Sequence, residues 1–85
     1  MANRWAWRRR PDGVLLSGGH ETAIEVETTA KPLDQYLAIL DAYADQGVES
    51  HWYAVAPIAQ ERILQAAAVL DVRDLVTVWD WSPVA

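Results

Sequence analysis

The stretch RPDGVLLSGGHETAIEVETTAK, residues 10–31, decides the fold. Two β-leaning runs, 13–16 and 21–27, flank Ser17-Gly18-Gly19-His20, and a pair of adjacent glycines between such runs signals a tight reversal. A β-hairpin is therefore predicted. With the reversal centred on Gly18 and Gly19, facing residues have numbers that sum to 37, which sets Asp12 opposite Glu25. Strand side chains alternate between faces. Ile24, Val26 and Thr28 thus share one side, expected to be the core, while Ala23, Glu25 and Glu27 share the other, expected to carry charge.

Downstream of the hairpin, a helix is predicted to start after Thr28-Thr29. Pro32 lies in its first turn, where a missing N–H leaves no bond unmade, and Gly47 stops it. Leu33, Tyr36, Leu37, Leu40, Tyr43 and Ala44 recur at helical spacing, with Asp34, Asp41 and Asp45 off that stripe. Residues 48–56, aromatic and β-branched and closed by Pro57, read as a strand. Residues 58–70 read as a second helix, with Ala59, Ile63, Ala66, Ala67 and Leu70 on one stripe, and 75–81 as a last strand. Crossovers of this length favour parallel pairing of the later strands. The expected class is α/β, a mixed sheet flanked by helices in the order β-β-α-β-α-β.

Upstream, residues 1–10 alternate Trp5 and Trp7 with Arg4, Ala6 and Arg8, the pattern of an extended arm or edge strand. Arg4, Arg8, Arg9 and Arg10 are four of the seven basic residues in a chain of net charge -5. A basic arm on an acidic body can still meet phosphates locally, because screening over about 10 Å limits the reach of the remaining acidic charge. The plainer reading of the same residues is a solvated tail.

An 85-residue chain has room for one domain with a modest core, so residues 1–85 are read as a single unit that benefits from association. Five tryptophans cannot all be buried in a core of this size, and the surplus points to an interface, expected to be a homodimer. Stacking of nucleic-acid bases on those rings is the other option. With no cysteine there is neither a disulfide framework nor a thiolate metal site, which fits a cytoplasmic setting. No apolar run approaches the roughly 18 residues that a membrane span requires, so no membrane partner is expected. His20, in the turn, and His51, in a strand, have no evident partner in the pattern and carry no assigned role.

The hairpin register gathers Asp12, Glu25 and Glu27 into one small patch. Directly opposed like charges on a strand pair repel, and a bound cation would remove that cost. Oxygen-only ligands suit Mg²⁺ or Mn²⁺ better than Zn²⁺. Such an ion lowers the pKa of a bound water and neutralises charge that develops on a phosphate. The alternative is a hairpin whose acidic side simply faces solvent.

Pro11-Asp12 followed by Glu25-Val26-Glu27 on the next strand, then a helix and a strand, resembles the PD-(D/E)xK nuclease superfamily over residues 10–56. The stretch from Arg10 through Lys31 to Tyr36 is most similar to nuclease-like domains of bacterial mobile-element and replication-relaxation proteins. The resemblance implies a restriction-endonuclease-like fold, here in a minimal or truncated version, with Asp12 and Glu25 as metal ligands. Two departures stand out. The superfamily's lysine falls at position 27, where this chain has Glu27, with Lys31 nearby to supply positive charge. No acidic residue precedes Asp12.

The expected function is metal-dependent hydrolysis of DNA phosphodiester bonds. Asp12 and Glu25 hold the ion, Glu27 holds it or orients water, Lys31 steadies the phosphate, and Arg8, Arg9 and Arg10 grip the backbone. The alternative is a catalytically inactive nuclease-like module for oligomerisation or DNA recruitment in a mobile element or phage. A third is a purely structural α/β protein that binds no divalent ion.

Overall fold

The computed structural model describes residues 10–81. The expectation of an arm or edge strand over 1–10 lies outside the described residues, apart from Arg10. The elements run β1 (Gly13–Ser17), β2 (His20–Glu27), α1 (Leu33–Asp45), β3 (Glu49–Ala54), α2 (Pro57–Val69), a 3₁₀ turn (Arg73–Leu75) and β4 (Val76–Asp80). The order is the predicted β-β-α-β-α-β; the 3₁₀ turn is an addition that the pattern did not reveal.

The hairpin forms with the expected register. Gly13 faces Ile24 and Ser17 faces His20, leaving a two-residue loop. Gly18 and Gly19 have φ of 56° and 84°. Two successive left-handed residues match the right-handed twist of the flanking strands, and glycine reaches that conformation without a Cβ penalty.

Four strands lie side by side in the order β1-β2-β3-β4. The first pair is antiparallel, whereas β2 with β3 and β3 with β4 are parallel. Each parallel step moves one position further along the sheet through a helix. Right-handed crossovers taken in one direction place both helices on the same side, and α1 and α2 share one core with the strand residues Ala23, Trp52 and Ala54. The sheet is therefore covered on one face by two helices.

That core is built from Tyr36, Ile39, Leu40 and Tyr43 of α1, Ala59, Ile63, Ala66 and Ala67 of α2, and Trp52 at the centre of the sheet. The small residues on α2 let that helix approach closely. Trp52 meets Tyr36 edge-on with ring centroids 5.8 Å apart, and its Nε1–H donates to Ser50 Oγ at 3.0 Å. The polar edge of the indole is thereby satisfied inside the core, as a buried tryptophan requires.

The two faces of β2 are the reverse of the expected ones. Ala23, Glu25 and Glu27 point under the helices and are buried, whereas Val26 is exposed and Ile24 half-buried on the open side. The expectation followed the general cost of burying carboxylates. It failed because α1 brings polar partners to both acids.

Candidate functional site

Glu25 and Glu27 lie two residues apart on β2, so both side chains project from the same face, and α1 lies across that face. Tyr36 and Tyr43 are seven residues apart on α1, two helical turns, which stacks them on the side that faces the sheet. Tyr43 O–H donates to Glu25 Oε1 at 2.9 Å, and Tyr36 O–H donates to Glu27 Oε2 at 2.9 Å. Glu25 is 2% exposed and Glu27 5%.

Lys31, four residues beyond Glu27 in the link to α1, places its Nζ against Glu27 Oε2. The Tyr36 hydroxyl also accepts the Lys31 backbone N–H at 3.0 Å, and the Lys31 carbonyl accepts from the Arg62 guanidinium of α2 at 2.8 Å. One connected chain thus runs from α2 through the link to the end of β2 and into α1. Charge-assisted bonds of this kind are stronger than neutral ones, and here they fix the corner where strand, link and both helices meet.

Asp12 follows a different course. It precedes β1, is exposed, and its Oδ2 accepts the Val26 backbone N–H at 2.8 Å. The carboxylate therefore completes the hairpin beyond the last strand pair, at the residue between Glu25 and Glu27. Of the sequence candidates, Glu27 and Lys31 are brought into direct contact. Asp12 sits at the β2 backbone, while Glu25 is beneath α1 in contact with Tyr43. Arg10 is exposed at the start of the described chain, and Arg8 and Arg9 lie outside the described residues. Among the described residues no group of three or more His, Asp or Glu side chains is placed to hold a metal ion.

The residues that sequence reasoning missed are Tyr36 and Tyr43, read only as members of an apolar stripe. A signal was available in retrospect: two acids at strand spacing i, i+2, followed by two tyrosines at i, i+7 on the next helix.

Burial pushes the Tyr36 hydroxyl up from its ordinary value of 10.0 to about 12; the Lys31 backbone bond opposes this, and the Glu27 carboxylate adds to it by accepting the proton and by its charge. A pKa higher in the folded chain than in the unfolded one gives stability that is fully present below pH 10 and is lost as the pH rises towards 12. In a spectrophotometric titration, the difference between wild type and Tyr36→Phe is expected to be a tyrosinate step centred near 12. A step at the ordinary value would mean that the hydroxyl is not held as described.

On the opposite face of the sheet, Trp79 stacks on Tyr53 with centroids 6.2 Å apart and planes 13° apart, and its Nε1–H donates to His51 Nδ1 at 3.2 Å. A shallow groove beside this ladder is lined by Gly13, Leu15, Ile24, Val26, Tyr53 and Trp81. Among the described residues no helix is long and apolar enough to cross a membrane. Comparisons with protein-family models, curated proteins and solved structures give no match to the chain.

Proposed function

We propose that this chain is a nuclease-like module that serves association and not phosphodiester hydrolysis, with its acidic residues in structural use. The observation that carries this reading is the engagement of Glu25 by Tyr43 and of Glu27 by Tyr36 and Lys31, beneath a helix. A metal ligand and a water-activating carboxylate must reach solvent and substrate. Glu25 and Glu27 would have to shed their tyrosine partners and move α1 aside first. The glutamate at position 27, where the nuclease superfamily has lysine, points the same way.

A second reading, a DNA endonuclease dependent on Mg²⁺ or Mn²⁺, is favoured by one feature: Asp12 is held at Val26, flanked on β2 by Glu25 and Glu27. In that case Asp12 and Glu25 would hold the ion, with Glu27 beside them. Lys31 would stabilise the phosphate, and Arg8, Arg9 and Arg10 would contact the DNA backbone.

A plasmid-nicking assay with Mg²⁺ or Mn²⁺ separates the two. For a structural role, wild type and Asp12→Asn are expected to leave supercoiled DNA equally intact. Metal-dependent nicking by wild type that is lost in Asp12→Asn would establish the endonuclease and overturn the non-catalytic reading.

A further inference from the structure

The face of the sheet opposite the helices has the composition of a surface meant to be covered. All-parallel sheets occur almost only with both faces covered, whereas antiparallel ones can leave a face to water; this mixed sheet has three of its four strands parallel to one another and both helices on one side. Leu15, Val26, Trp79 and Trp81 are between 43% and 52% exposed. Tyr53 and His51 fill the centre, and Ile24 borders the groove. Tryptophan and tyrosine are the residues that concentrate binding energy at protein interfaces.

Charge selects the occupant. On the four strands, the side chains of this face include a single Asp, Glu, Lys or Arg, Glu49, at the starting end of β3. Among the described residues no Lys or Arg of these strands lies on it, so the strands offer a polyanion, or an anionic membrane surface, no cation to pair with. The chain as a whole carries a net charge of -5. Two copies meeting through this face would bring neutral surface to neutral surface and keep Glu25, Glu27 and the acidic residues of α1 on the outer sides.

Area agrees with a reversible contact. Four strands spaced about 4.8 Å apart, three of five or six residues and β2 of eight, give a paired face of roughly 19 by 18 Å at about 3.3 Å per residue. That is the scale of the smaller, transient interfaces and below that of permanent ones.

We propose that the open sheet face, centred on Val26, Tyr53 and Trp79, is the contact through which two copies of this chain form a reversible dimer, sheet against sheet. The proposal rests on the association reading above and names its partner. Sedimentation velocity tests it on the full chain up to about 1 mM, a concentration at which even an interface with a dissociation constant of about 1 mM is half formed. Wild type is expected to shift from monomer to dimer across the series. Val26→Lys, which sets an ammonium at the centre of the face, is expected to raise the dissociation constant at least about tenfold. Leu64→Lys, a matched change at an exposed α2 position, is expected to leave it unchanged.

A monomer at every concentration overturns the proposal, and so does a dimer broken by Leu64→Lys but not by Val26→Lys. A dimer that shows the expected variant pattern while nicking DNA supports this face and overturns the non-catalytic reading. A monomer that leaves DNA intact does the reverse.

Discussion

Replacing Trp52 by alanine is expected to remove about 3–5 kcal/mol of stability, the usual cost of deleting a large aromatic ring from a core. Trp52 is the largest fully buried side chain and sits on β3, the central strand between β2 and β4. It joins the sheet to α1 through its edge-on contact with Tyr36, and its Nε1–H occupies Ser50 Oγ. Alanine leaves a cavity, an abandoned hydroxyl and a helix without its main support. Domains are stable by only about 5–15 kcal/mol, so this loss removes a large part of the total and should move the unfolding midpoint to much lower denaturant. Urea unfolding followed by circular dichroism measures it. A loss below about 1 kcal/mol would mean that Trp52 is not the centre of the core.

Glu27→Ala is expected to destabilise by about 3 kcal/mol, because it strips the acceptor from two donors at once and hydrogen bonds to a charged group each contribute about 1.5–3 kcal/mol. The Tyr36 hydroxyl is then buried without its acceptor. Lys31 loses its partner too, but its side chain is 32% exposed and rehydrates, so its share is discounted for solvent screening. Lys31→Ala should accordingly cost much less than Glu27→Ala. The sign is informative. Residues held under strain for catalysis commonly gain stability when replaced, so a more stable Glu27→Ala protein would identify Glu27 as part of a functional site and reject its structural role.

The hairpin was legible in the sequence because its determinants are local: Gly18-Gly19 fixes the loop, and the loop fixes a register that the whole β1–β2 pair obeys. The helices were legible for the same reason, bounded near Pro32, Gly47 and Pro57. The side of β2 that receives the helices was not legible. Alternation groups Glu25 with Glu27 and Ile24 with Val26, but which pair goes inside depends on what α1 presents. Tyr36 and Tyr43 supply hydroxyls to the acids, which tips the choice against the simple rule that charge faces water. The aromatic surplus was correctly read as surface, with Trp79 exposed and Trp52 buried, though only the assembled sheet places Trp79 beside Tyr53 and His51. The register holds from Gly13 opposite Ile24 to Ser17 opposite His20, and Asp12 and Glu25 lie one step beyond it. It does not bring their carboxylates to one point, because Asp12 is drawn to the Val26 N–H while Glu25 turns under α1.

Thermal unfolding of the wild-type chain with increasing Mn²⁺ tests most directly whether these carboxylates are structural. A specific ion at a hundred times its dissociation constant would add about 2.7 kcal/mol to native stability, at least about 10 °C in a domain of this size. With Glu25 and Glu27 committed to Tyr43, Tyr36 and Lys31, the midpoint is expected to stay where it is throughout the titration. A saturating rise that disappears in Asp12→Asn would contradict this and place a metal ion among Asp12, Glu25 and Glu27.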